Sequence, residues 1–277
     1  MPIFRLFRKN KKKESAPSFA VHSAGLSHRG NVRETNQDAF MFPDKASCGS
    51  AVMAVADGMG GHEGGEVAAK QCIKIFGETL KDGYDGAWRW PDAWGKPPKT
   101  GERDLESFIL EHALMTAHLA ISKLAREDST LHDMGTTFTG ALIEGETLYS
   151  IHAGDSRLFL YRNGFLKQLT RDHRFDPAVS DTLMIPAELA ERYTLPNVLT
   201  QSVGNGPLKP DLDSHKLQWG DVLLFCSDGL TDMISDEHIR RILGAEPSAQ
   251  QRAQALIDAA LLQGGRDNVT AVVATCQ

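Results

Sequence analysis

Four segments of this 277-residue chain repeat their apolar residues every three to four positions. They fall into two pairs, set between stretches that alternate at a period of two. Helices are predicted over residues 64–81 and 105–126, then over 235–243 and 248–263. In the first, Val67, Ala68, Cys72, Ile75, Phe76 and Leu80 share one face; in the second, Leu105, Phe108, Ile109, Ala113, Ala117, Ala120, Ile121 and Leu124 do. Strands are predicted over 18–27, 39–43 and 51–56, then as two hairpins, 136–143 with 147–153 and 157–161 with 165–169. Strands over 214–217, 221–226 and 268–275 follow. A helix with one apolar stripe must lie on something apolar, and hairpins make mostly antiparallel sheets. The layered solution is an α+β fold, a four-layer α/β/β/α sandwich. Two mostly antiparallel sheets are flanked by pairs of antiparallel helices.

Several aspartates fall where these apolar runs begin or end. Asp57 follows the run 51–56 in V-A-D-G-M-G-G-H, and Asp228 follows 222–226 in L-L-F-C-S-D-G-L-T-D. Asp267 precedes the last run in G-G-R-D-N-V-T. Carboxylates at the ends of core strands can converge on one point, and hard divalent cations take such oxygens. Glycines at 58, 60, 61, 64 and 65 crowd Asp57 and would let backbone carbonyls approach an ion. Asp228 and Asp232 lie four apart, a spacing that suits one ion site or two neighbouring ones. By spacing alone, metal ligation and turn or cap chemistry explain these residues equally well.

Bulk properties exclude other classes. The net charge is −6, but the first fourteen residues carry +5, which leaves −11 on the rest. An acidic body does not suit nucleic acid, and no apolar run approaches the ~20 residues of a membrane span. The four cysteines show no C-x-x-C pair, which fits free thiols in a reducing cytoplasm. Residues 1–17 read as a basic, disordered tail and 18–277 as one domain. Within it, 82–101 holds three tryptophans, as a surface insertion or packed on the neighbouring helix. Residues 171–205 lose the strand pattern, apart from a helical stretch at 186–193.

Two further clusters stand out. In R-G-N-V-R-E-T-N-Q-D, Arg33 suits a phosphate and Asp38 could hold a water, although a surface ion pair explains them as simply. In H-A-G-D-S-R, Asp155 reads as a cap on a strand-to-strand turn. The chain has no C-x-x-x-x-x-R loop, no D-x-D-x-[TV] nucleophile and no Walker A pattern.

Taken in order, R-G-N-V-R-E-T-N-Q-D, V-A-D-G-M-G-G-H-E-G-G-E-V-A, M-G-T-T-F-T-G, H-A-G-D-S-R-L-F-L-Y-R-N-G, N-V-L-T-Q-S-V-G, D-V-L-L-F-C-S-D-G-L-T-D and G-G-R-D-N-V-T make the chain resemble a known family. It is that of the metal-dependent serine/threonine protein phosphatases, the PPM or type-2C family, in their bacterial form. The resemblance covers residues 24–275 and implies the same sandwich. It implies that Asp57 bridges two Mn²⁺ or Mg²⁺ ions, that the Gly58 carbonyl ligates the first, and that Asp228 and Asp267 hold the second. It implies that Asp38 supports the first ion through water and that Arg33 binds the phosphate. A third ion would take Asp133, Asp228 and Asp232, and residues 171–205 would form a flap. The reaction implied is attack on phosphorus by a hydroxide bridging the two ions, with His62 or a water protonating the leaving oxygen. The expected molecule is a cytoplasmic monomer acting on phosphoprotein substrates of a bacterial Ser/Thr kinase. Gln37 departs from the pattern, where the family usually has Glu. It leaves open a catalytically weak module that binds phosphoproteins.

Overall fold

The computed structural model describes residues 20–43, 50–60, 64–84, 105–175 and 198–277. Expectations for the tail of residues 1–17, Cys48, His62, the three tryptophans and the stretch 186–193 lie outside the described residues. Strands β1 (Val21–His28), β2 (Asp38–Met41) and β3 (Ser50–Met59) lead into helices α1 (Gly64–Tyr84) and α2 (Leu105–Glu127). Next come β4 (Gly135–Thr136), β5 (Phe138–Glu144), β6 (Thr147–Ala153), β7 (Arg157–Arg162), β8 (Phe165–Gln168), β9 (Asp211–Lys216) and β10 (Val222–Cys226). The chain closes with a helical turn α3 (Asp228–Thr231), helices α4 (Asp236–Ala245) and α5 (Ala249–Leu262), and β11 (Val269–Cys276).

One sheet has the order β2-β3-β5-β6-β9, with β4 added beside β3; the other runs β1-β11-β10-β7-β8. Every strand pairing among these elements is antiparallel. Three apolar layers separate the four layers of structure. Ala51, Met53 and Val55 of β3 meet Leu223 and Phe225 of β10 and Val272 and Ala274 of β11 between the sheets. The alternate residues Ala54 and Ala56 face Cys72, Phe76, Leu110 and Leu114 of α1 and α2. On the far side, Leu224, Ala271 and Val273 face Ile239, Leu243, Leu256 and Ala260 of α4 and α5. Strands buried on both faces read as unbroken apolar runs, which is why β3, β10 and β11 stand out in the sequence. Ser235 and Ser248 cap α4 and α5 by accepting from the backbone N–H groups of His238 and Gln251.

Three expectations change. Strand β3 runs through Asp57 and Gly58 to Met59, because β4 supplies a partner that places Gly58 opposite Thr136. Strand β9 begins at Asp211 rather than 214. Its D-L-D-S-H-K is a charged edge strand, largely exposed, and so carries little apolar signal. The buried face of α2 is turned toward Leu110 and Leu114, both fully buried, while Leu124 is 36% exposed. This helix packs against α1 as well as the sheet, and two neighbours bury a broader arc than one stripe describes.

Leu114→Ala is therefore expected to cost about 2–5 kcal/mol in urea denaturation, the range for an emptied core leucine. Leu124→Ala should cost less than about 1 kcal/mol.

Candidate metal centre

The layer between the sheets turns polar at one rim. In β3 the positions facing the other sheet are 51, 53 and 55, and the next is Asp57. Asp38 stands opposite Asp57 in the β2–β3 register, so both side chains leave the same face. Across the gap, the inward positions of β10 and β11 continue to Ser227 and Thr270, whose hydroxyls donate to Asp38 Oδ2 at 2.8 and 2.6 Å. Asp228 follows Ser227 at the start of α3. Asp267 lies just before β11, and these two neighbouring strands run antiparallel, so both carboxylates reach the same rim. The four aspartates flagged from the sequence are thus brought to one end of the sandwich.

Burial and crowding set the protonation of three of them. Desolvation, partly offset by the two hydroxyls, pushes Asp38 up to about 6. Asp57 is raised well above the usual carboxylate range, first by desolvation and then by the charges of Asp38, Asp228 and Asp155. Desolvation, with Asp155 and Asp232, pushes Asp228 up to about 7. Two guanidiniums face this cluster. Arg33 Nη2 donates to Asp267 Oδ2 at 2.7 Å, with 58% of its side chain exposed. Arg174 Nε donates to Asp155 Oδ2 at 2.6 Å, and its Nη2 to Asp228 Oδ2 at 2.8 Å.

The backbone around the site is tightly specified. Gly58 and Gly65 approach so closely that a Cβ on Gly58 would lie 2.1 Å from the Gly65 carbonyl oxygen. Thr137 N–H and Thr136 Oγ1 both donate to the Asp57 carbonyl at 2.9 Å. Asn268 staples the loop that carries Arg33: its Nδ2 donates to the carbonyls of Arg29 and Thr35, and its Oδ1 accepts from Gln37 N–H. Gly30 has φ +79°, and a Cβ there would lie 2.2 Å from the Asp267 carbonyl oxygen. Residue 37 holds this arrangement through its backbone, its carbonyl accepting from Gly58 N–H at 3.2 Å.

Sequence reasoning reads Asp155 as a turn cap and passes over Arg174. Asp155 lines the cavity, which has a volume of about 770 Å³ and is also bounded by Arg33, Asp57, Gly58, Asp228 and Asp267. Its signal is its place just after β6, at the rim that Asp57 occupies. Arg174 has none, because its neighbours come from turns distant in sequence. The Asp133 carboxylate meets His132 Nε2 at 2.7 Å and is 73% exposed, while its carbonyl borders Gly60 at the cavity wall. Asp232 stays near Asp228, its N–H donating to the Asp228 carbonyl at 2.8 Å.

The donors suit a hard divalent cation. They are carboxylate oxygens, desolvated and mutually repelling, and Asp38 Oδ1 is buried without a hydrogen-bond partner. They are gathered but not closed: among the described residues, no three acidic, histidine or cysteine side chains surround one point as a metal cage.

A raised carboxylate pKa means that the folded state holds its proton more tightly than the unfolded one. Stability from that source is complete at low pH and is lost as pH rises through the folded pKa. Asp57→Asn is therefore expected to raise the melting temperature of metal-free protein at pH 7.5, with a smaller gain at pH 5. With Mn²⁺ present the order should reverse, because a ligand is gone; thermal melts at the two pH values check both.

Residues 24–262 match the family model described as Protein phosphatase 2C. Over 257 residues, 93% of this chain, the sequence is 35% identical to the serine/threonine protein phosphatase PstP of Mycobacterium tuberculosis. The chain spans only 45% of that relative's length. It is 30% identical to the serine/threonine phosphatase stp of Listeria monocytogenes over 255 residues, covering 91% of this chain and 95% of that protein. The crystal structure of the catalytic domain of PstP, in complex with two manganese ions, matches with a TM-score of 0.72 and 34% identity, covering 94% of this chain and 99% of that one. A match of this extent makes the chain a member of the protein phosphatase 2C family.

Proposed function

We propose that this chain hydrolyses phosphoserine and phosphothreonine in proteins, using two divalent ions, Mn²⁺ or Mg²⁺, and so opposes a serine/threonine kinase. The observation that carries this reading is the in-register pair Asp38 and Asp57 facing Asp228 and Asp267 across the gap between the sheets. Asp57 and the Gly58 carbonyl would hold the first ion, and Asp57, Asp228 and Asp267 the second. When bound, such ions acidify a water and polarise the phosphoryl oxygens. The two manganese ions in complex with the PstP catalytic domain support the same stoichiometry.

The chain's own residues do the rest. Ser227 and Thr270 occupy Asp38 Oδ2, which leaves Oδ1 to accept from a water and orient it beside Asp57. Arg33 stands at the cavity edge, and its guanidinium has donors beyond the one given to Asp267 with which to meet phosphate oxygens. The cavity is within the size range that admits a phosphorylated side chain and its flanking backbone. The leaving serine or threonine oxygen needs a proton, which His62 or a water would supply. No helix among the described residues is long and apolar enough to cross a membrane.

A second reading, a phosphoprotein-binding module with little turnover, rests on Gln37. Calorimetric titration with Mn²⁺ separates the two, since the module needs no metal.

Hydrolysis of a phosphothreonine peptide is expected to require Mn²⁺ or Mg²⁺ and to stop with chelator. Asp57→Asn and Asp228→Asn should each lower kcat by at least roughly 10²-fold, and Arg33→Ala should lower kcat/KM by roughly 10- to 10³-fold. Near-normal turnover in Asp57→Asn would remove this reading.

A further inference from the structure

Arg174 is the better covered of the two guanidiniums at the site, and its backbone is held on both sides. His173 N–H donates to the Gly154 carbonyl at 2.7 Å, Thr200 N–H to the His173 carbonyl at 2.7 Å, and Phe175 N–H to the Val198 carbonyl at 2.9 Å. Arg174 itself pairs with Leu199 in a β-bridge. Next to it, His173 Nδ1 accepts from Gly154 N–H at 3.2 Å and Nε2 meets Asp211 Oδ2 at 3.1 Å. From this fixed stem the guanidinium forks, Nε to Asp155 and Nη2 to Asp228, with 24% of the side chain exposed.

We propose that Arg174 is a built-in cation standing in for a third divalent ion, so that this chain completes its site with two ions. The inference rests on the metal-dependent reading above and concerns which positive charges satisfy Asp228. The residues that the resemblance implies for a third ion are Asp133, Asp228 and Asp232. One of them is already engaged: Asp228 Oδ2 is taken by Arg174. A third ion at Asp228 would have to displace a charge-assisted fork, and a guanidinium cannot shed its charge to make way. Arg174 is thus a positioning residue: it holds Asp228 through one oxygen and ties the segments 171–175 and 198–200 to the metal centre.

The test counts ions without using catalysis. Native mass spectrometry and calorimetry with Mn²⁺ should give two ions per wild-type chain. Arg174→Gln should take a third, with affinity at least about tenfold above any residual third binding in the wild type. Arg174→Lys, which keeps the charge and the bulk of the stem, should stay at two. Folding of each variant is followed by its Mn²⁺-dependent melting temperature, and the wild-type count stands even if the glutamine variant does not fold. Three ions in the wild type, or two in both wild type and a folded Arg174→Gln, overturn the proposal and leave the phosphatase reading intact. No bound ion in the wild type overturns both.

Discussion

Everything at the functional end of this molecule depends on like charges held together out of water. Asp38, Asp57 and Asp228 sit where the apolar layer between two sheets reaches its rim, and each is driven above the normal carboxylate range by burial and by its neighbours. Such a cluster opposes folding unless cations compensate it. The sandwich tolerates it because the opposing terms come from elsewhere, in three apolar layers built from two sheets and four long helices. Stability is stored in the layers, and the rim uses part of it to keep carboxylates close.

The second constraint is positional. A metal centre assembled from strands of two different sheets keeps its geometry only if the sheets cannot slide. Hydroxyls of Ser227 and Thr270, on one sheet, grip Asp38 on the other. Asn268 fastens the Arg33 loop to the start of β11, and Gly30 and Gly58 lie where no side chain would fit. These contacts bind distant parts of the chain at the cavity. They fasten the loop from 29 to 37, which is short of apolar residues.

Arginines decide how the remaining charge is met. Arg33 is largely exposed and, among the described residues, paired with Asp267 only, so it can exchange partners with an incoming phosphate at little cost. Arg174 is better covered and doubly paired, so it behaves as part of the frame. The two guanidiniums differ in burial and in the rigidity of their stems, and on the proposed reading that difference separates a substrate contact from a structural counter-charge.

The sequence by itself determined the layers and the carboxylates at their rim. Alternation in β3, β10 and β11 and the stripe on α1 carry local, periodic information, and periodicity survives without knowledge of neighbours. It also identified Asp38, Asp57, Asp228 and Asp267, because each borders a core strand or sits in a motif whose order is preserved. The tertiary structure decided what has no period. The buried face of α2 depends on α1 lying beside it, and the charged edge strand β9 is recognised only by its pairing with β6. The roles of Asp155 and Arg174 come from a turn after β6 meeting segments on either side of residues 176–197. Contacts between residues remote in the chain leave no mark on local spacing, so one chain's sequence names the carboxylates and the fold alone says which cations they face.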